Sequence, residues 1–409
     1  MAPGALRPGA ISTPRSSGSR FGPHKIGISA LVLVAISFML PFASVSHSRI
    51  ATGQSLHAWE VLDVLGMAAL LAPWAVVLVG SLVRPRTRMS SVFRGGAAAS
   101  SVLVWILVSG AAAGPAVERI GPFARYSLGA GVWLMGFAAF ALIISARREL
   151  GLGTVLGWIV TLLGPVGIAI AAAIGTLDDL GILVEYHNLG RRFWPAVGEH
   201  IAYSASSIIV ATILGVGLGV VAYRYRRASG PIFSVVSAFQ TIPGLALIGI
   251  LVAPMAALSF AFPALRRVGV GGLGWAPVVL ALTLYALLAI VRNTYAGLAS
   301  VPSETVEAGR GMGMTSSQVV RRVQMPLAAP VVFSGVRTAS QQTVANATLG
   351  AFVAAGGLGP LVFFGLAQQA NDLVLLGSIA LVALALTVDG LMRGLQHLVT
   401  PKRTREHTR

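Results

Sequence analysis

Chemistry needs particular side chains at particular spacings, and this sequence supplies few. It contains no cysteine, which excludes disulfides, thiolate nucleophiles and cysteine-held metals. Its seven histidines are scattered, and none stands at the His-Glu-x-x-His spacing that sets two imidazoles on one helix face for zinc. A phosphate-cradling loop needs a glycine-rich turn closed by Gly-Lys and then Ser or Thr. The only lysines are Lys25 and Lys402, preceded by His24 and Pro401, so no such loop exists here. Any nucleotide hydrolysis that drives this protein therefore belongs to another subunit. An integral membrane enzyme would want His, Asp or Glu clustered at one membrane face, and the sequence offers no such cluster.

The residues whose spacing does carry information lie between Ser303 and Pro330. This stretch is too polar to be buried in lipid, yet strongly apolar segments flank it. It predicts two short helices and a turn. Ser303 is placed to cap the first helix, with Glu304 in its first turn, and Gly311 and Gly313 stop it. Thr315-Ser316-Ser317-Gln318 has the pattern of a capping box opening the second helix, which Pro326 is expected to close. A compact helical hairpin on a membrane protein suits docking to a partner better than spanning or catalysis.

The chain around this hairpin is strongly apolar: 55% of the 409 residues are hydrophobic and 11% charged, with a mean hydropathy of +0.80. No soluble core needs so much apolar sequence, so the chain reads as a polytopic, all-α membrane protein. Apolar runs of spanning length begin at 26–46 and recur near 60–83, 92–113, 127–145, 152–175, 198–223, 233–254, 274–291, 331–354 and 373–392. About ten transmembrane helices follow, the first an uncleaved span rather than a signal peptide. Residues 355–372, after the Gly356-Gly357-Leu358-Gly359-Pro360 break, are expected to hold a re-entrant or surface helix.

The formal charge of +17 is distributed as a topology signal rather than as a nucleic-acid footprint. With the N-terminus inside, Arg7 to Lys25, Arg84 to Arg94, Arg147, Arg148, Arg224 to Arg227, Arg310, Arg321, Arg322 and the basic C-terminus all fall on the cytoplasmic side. The acids Asp178, Asp179, Glu185 and Glu199 fall outside. This orientation puts both termini and the Ser303–Pro330 hairpin in the cytoplasm. The chain then divides into a disordered tail over 1–25, an N-terminal hydrophobic domain of about five spans over 26–175, and an extracytoplasmic loop over 176–195. A five-span core over 196–395 and a basic tail over 396–409 complete it.

Within the hairpin, Glu307-Ala308-Gly309, then Gly313, Val323, Met325 and Pro326 resemble the EAA signature of binding-protein-dependent ABC importer permeases. Gly309 departs from the second Ala of that signature, and Met325 from its usual Leu. The resemblance extends to Thr241-Ile242-Pro243-Gly244, Ile290-Val291-Arg292-Asn293-Thr294-Tyr295, Ser334-Gly335-Val336-Arg337-Thr338 and Gly356-Gly357-Leu358-Gly359. These segments look like the osmoprotectant permeases of the glycine betaine, choline and carnitine type, and methionine permeases share part of the pattern. The resemblance implies a type I permease core at the C-terminal end, with a coupling loop over 298–330. It also implies a permease homodimer, ATPase subunits that bind the ATP, and an extracytoplasmic substrate-binding protein, with no cofactor on this chain. The first half resembles the extra hydrophobic domain that some members carry. A permease for methionine or another amino acid is the alternative within this class. An ion-coupled secondary transporter is a different class, disfavoured because it wants acids or His deep in several spans and Asp389 stands nearly alone.

The same core holds the candidates for a translocation path. Pro243 interrupts an expected span, and its freed carbonyl must find a neighbour or a water-lined cavity; a path border and a packing kink are both open readings. Thr338, Gln342 and Asn346 fall at i, i+4 and i+8, with Arg337 and Gln341 beside them. Polar groups at that depth line a path or bond helices together. Asp389 is placed to reach the interface or pair with an arginine. Gly215, Gly217 and Gly219 are read as helix-packing residues, and the dispersed tryptophans as interface anchors.

Overall fold

The computed structural model describes residues 24–49, 51–82, 88–151 and 155–399, which form two compact units divided between Val184 and Glu185. The expected basic tail falls outside these residues from 400 onward, and the N-terminal tail falls outside them up to 23.

The first unit opens with α1 (Lys25–Met39), continues through β1 (Ala43–Ser46), β2 (Gln54–Leu56) and α2 (Ala58–Val61), and then runs α3 (Val64–Leu82) and α4 (Arg88–Glu118). It closes with β3 (Arg125–Leu128), α5 (Ala130–Leu150) and α6 (Val155–Ala173); α7 (Gly181–Leu189) carries the chain across the division. The strands were not legible in the sequence. They form an antiparallel sheet in the order β2-β1-β3, with Ala43 opposite both Leu56 and Leu128. Strands of three or four residues are too short for a period-two pattern to stand out beside long apolar runs, and the small sheet sits in a fold that is otherwise helical, as expected.

The helices of the first unit are tied at one end by a charged network. His24 caps α1 by accepting the Gly27 N–H on Nδ1 at 2.9 Å, and its Nε2 faces Glu149 Oε1 at 2.8 Å. The other oxygen of Glu149 accepts from Arg94 Nη2 at 2.7 Å, and Arg94, itself buried, donates to Gly80 O at 2.9 Å. Glu149 of α5 thus ties α1 and α4 together, and Arg94 extends the network to α3. A buried guanidinium is stable here because its fork is both charge-paired and hydrogen-bonded.

The second unit comprises α8 (Phe193–Arg224), α9 (Arg226–Thr241), α10 (Gly244–Ala261), α11 (Pro263–Arg267), α12 (Trp275–Ala299) and α13 (Ser303–Gly311). It ends with α14 (Ser316–Val319), α15 (Met325–Asn346), α16 (Gly359–Ala367) and α17 (Asn371–Val399). Its centre is α12, whose Leu282, Ala286, Ile290 and Val291 are buried. Glycines let the neighbouring helices close on it. A Cβ on Gly215 would sit 2.8 Å from an Ile290 methyl, and one on Gly219 2.5 Å from Thr294 Cβ, whereas Gly217 meets nothing within 4 Å. Two of the three glycines are therefore packing residues, as read. One side of α8 carries exposed Ile209, Ile213 and Leu214, an apolar surface of the kind a membrane helix presents where no protein covers it.

Eight helices among the described residues are long and apolar enough to cross a membrane. The other two expected spans are the shorter apolar α1 and the more polar α15. The span expected over 233–254 is shifted: Ile242 and Pro243 adopt extended backbone between two helices. The arginine-led α9 stays on one side of that break, and the crossing is made by α10 instead. The helix expected in 355–372 is α16, and the loop expected over 176–195 includes α7.

Candidate coupling hairpin and translocation path

The hairpin is built by four local devices. Pro302, with ψ at 136°, takes the cap position and its carbonyl accepts the N–H groups of Thr305 and Val306. Ser303 is therefore the first helical residue and not the cap, because proline has already turned the chain. At the other end Gly313 has φ of +81°. Its N–H donates to Arg310 O at 2.9 Å, and the Met314 N–H to Gly309 O at 3.2 Å. This pair of bonds is a Schellman closure, whose left-handed residue favours glycine. Gly311 is merely the last helical residue. The capping box forms as expected, with Thr315 N–H on Gln318 Oε1 at 2.8 Å and Gln318 N–H on Thr315 Oγ1 at 3.3 Å.

The fourth device corrects the expectation that Pro326 closes the second helix. The helix continues from α14 through a wider π turn over Val320–Gln324 into α15. Pro326 has no N–H to give to the carbonyl four residues earlier. The Met325 N–H reaches back five residues to Val320 O, and the wider turn absorbs the missing donor. The hairpin is thus continuous with α15 rather than hinged to it.

The motif residues divide into two groups. Gly309 is buried against Val319 and Val323, at 3.5 and 3.6 Å from where a Cβ would lie; Met325 packs on the Leu298, Ala328 and Val332 cluster. With Gly313, these residues hold the shape. Glu307, Ala308 and Pro326 are exposed, and beside them Met312 is 71% exposed, so the outward face presents a carboxylate and an apolar tip. Sequence reading missed the anchor beneath. Gln324 is buried and donates to Tyr223 Oη of α8 at 2.7 Å. Tyr223 stands edge-on to Tyr295 of α12, which meets Phe233 of α9 in the same way. One glutamine therefore joins the hairpin to three helices of the core.

The path candidates are less closely grouped. Pro243 is exposed at the start of α10. The carbonyl freed at Ile242 accepts from the Tyr285 hydroxyl, and Gln240 Nε2 donates to Tyr285 O at 2.9 Å. A neighbour thus satisfies the break, and α12 supplies it. A Cβ on Gly244 would lie 2.7 Å from Leu349, which brings this break close to the segment that follows Asn346. Thr338 and Gln342 are exposed and Asn346 is half-buried, with Thr338 bonded to Ser334 O at 3.0 Å. Arg337 and Gln341 turn elsewhere. Both donate to Asp389 Oδ1 of α17, Arg337 Nε at 2.7 Å, while Arg393 holds Oδ2. Asp389 is paired within the chain, and its partners act as glue between α15 and α17.

Residues 208–403 match the family described as the binding-protein-dependent transport system inner membrane component. Among its relatives, the choline transport system permease protein OpuBB of Bacillus subtilis is 36% identical over 203 residues, 50% of this chain and 86% of that protein. The chain belongs to this permease family. The carnitine transport permease protein OpuCB of Listeria monocytogenes is 36% identical over 54% of this chain and 92% of its own length. The osmoprotectant import permease protein OsmW of Salmonella typhimurium is 36% identical over 50% and 90%. Residues 24–183 match the N-terminal domain described for the ABC transporter permease YehY. A solved structure of the MetNI methionine transporter in an inward-facing conformation overlaps 52% of this chain and 99% of its own, at 24% identity and a TM-score of 0.45.

As a permease subunit, this chain is a multi-pass membrane protein and not an enzyme; ATP hydrolysis belongs to a separate subunit, and ATPase and substrate-binding proteins are the general partners of such subunits. A short helix closed at both ends by hydrogen bonds moves as a solid piece.

Proposed function

We propose that the permease moves glycine betaine or a related quaternary ammonium osmoprotectant into the cell by alternating access. The names and identities of its relatives support this substrate class, with methionine or another amino acid as the less supported reading. The observation that carries the mechanism is the closed hairpin, continuous with α15 and bonded to α8 through Gln324. In this reading the hairpin and both termini are cytoplasmic. Glu307, Ala308 and Met312 dock on the ATPase, where the ATP is bound and no cofactor is needed on this chain. Gly309, Gly313, Val323, Met325 and Pro326 keep the docked piece rigid. Two copies of the permease form the assembly, and the break at Pro243 together with Thr338, Gln342 and Asn346 borders the path. Neutral amides and hydroxyls suit such a path, because they solvate a zwitterion without holding it as an opposite charge would.

The test is uptake into vesicles containing the permease, its ATPase and its binding protein. Labelled glycine betaine, choline, carnitine and methionine are offered in turn. ATP-dependent accumulation of a quaternary ammonium compound, abolished by Glu307→Ala with loss of ATPase co-purification, is the expected result. Accumulation of methionine alone would overturn the substrate class. Uptake that follows an ion gradient and ignores ATP would overturn the mechanism.

A further inference from the structure

At the end of α8 away from the hairpin, three side chains grip one strained turn. After Asn346 the chain passes through a 3₁₀ segment, Ala347–Val353, and then enters left-handed backbone at Ala354, Gly356 and Gly357, with φ of 56°, 82° and 77°. Alanine in this region is strained, and such outliers persist only where surrounding groups over-determine them. The surrounding groups are Glu199, His200 and Tyr203. Glu199 Oε2 accepts the Gly357 N–H at 2.9 Å, and the Tyr203 hydroxyl donates to Ala355 O. His200 is fully buried. Its Nδ1 accepts the Leu358 N–H at 3.4 Å and its Nε2 lies 2.9 Å from Val344 O. Both ring nitrogens are thus engaged when Nε2 carries the proton.

These contacts make α8 and α15 two rods bonded at both ends. Tyr223 meets Gln324 at the hairpin end. His200 lies 23 residues earlier on α8, about 35 Å away at the helical rise, and meets Val344 and the strained turn. When the ATPase moves the hairpin, α15 moves with it, because the π turn keeps the helix continuous. The displacement then arrives at the turn as a load on three hydrogen bonds.

We propose that Glu199, His200 and Tyr203 are a latch on the Ala354–Leu358 turn, and that its release opens the end of the permease opposite the coupling hairpin. The inference rests on the alternating-access reading above and adds the residues that hold the far end shut. They are positioning residues: each acts on the turn's backbone rather than on substrate. Strain in the turn favours release, and the three bonds oppose it, so the closed state is poised.

Two variants test the latch in vesicles containing the permease, its ATPase and its binding protein. Tyr203→Phe removes one hydroxyl and leaves the ring. It is expected to raise ATP hydrolysis measured without binding protein by about fivefold, the population shift that one lost hydrogen bond produces. The second variant pairs His200→Cys with Gly357→Cys. A Cβ on Gly357 would lie 3.5 Å from His200 Cβ, within the range that a disulfide spans, and the chain has no other cysteine. Oxidation is expected to keep basal hydrolysis low and abolish its stimulation by the binding protein, whereas the reduced pair, which lacks the His200 bonds, is expected to hydrolyse ATP faster than the wild type without binding protein. An unchanged basal rate in Tyr203→Phe, failure of the cysteine pair to cross-link, or full stimulation of the cross-linked protein would overturn the latch. Wild-type uptake of glycine betaine, run alongside, tests the substrate reading separately, since the hydrolysis readouts do not depend on which osmoprotectant is carried.

Discussion

The two glycines of the hairpin motif do opposite work. Gly313 is needed for its backbone, with φ of +81° and no atom within 4 Å of a Cβ. Gly309 sits in ordinary helix, and a methyl there would meet Val319 at an ordinary 3.5 Å. Gly313→Ala should therefore cost about 1–2 kcal/mol, the penalty of a left-handed alanine, and show itself as lost ATPase co-purification. Gly309→Ala should keep uptake and gain about 0.5–1 kcal/mol from lower unfolded-state entropy, read as a higher melting temperature in detergent. Both were visible in the sequence as motif positions. Which of them was needed for conformation was not, because only the backbone angle separates them.

Elements in this protein meet through small residues and a few polar bonds, as lipid provides no hydrophobic drive between helices. Gly219→Val should overpack against Thr294 and destabilise by about 1–3 kcal/mol, while Gly217→Val, with nothing within 4 Å, should be silent. Thermal melts of the detergent-solubilised variants compare the two. The joint between α15 and α17 is ionic, and Asp389 is the less exposed partner at 10% against 29% for Arg337. Arg337→Met removes one charged bond but leaves Asp389 held by Arg393 and Gln341, and should cost about 1.5–3 kcal/mol. Adding Asp389→Leu should recover most of that loss, which a double-mutant cycle of melting temperatures measures. The helices themselves were legible from their apolar runs. The shift of the span at 233–254 was not, because the apolar run passes through Ile242 and Pro243 without a change in hydropathy.

At the scale of the molecule, the relatives match about half of this chain and nearly the whole of their own length, and that half coincides with the second unit. A chain beginning at Glu185 should therefore insert in the membrane, co-purify with the ATPase and support uptake. Loss of all three would mean that the first unit is needed for assembly. The first unit has its own core and its own charged network around Glu149, which is what a separately folding body requires.

From sequence alone came the class, the rough place of the spans, the hairpin with its capping box at Thr315 and its turn at Gly313, and the need for an ATPase elsewhere. These follow from hydropathy, spacing and missing residue types, all of which are local along the chain. The tertiary structure decided the rest. It showed that Gln324 reaches Tyr223, that Tyr285 satisfies the break before Pro243, and that Glu199, His200 and Tyr203 hold a turn more than 140 residues away. Each of these pairs a single polar side chain with a backbone group or ring distant in sequence. No periodicity marks such a pair, since its partner is chosen only when the helices pack.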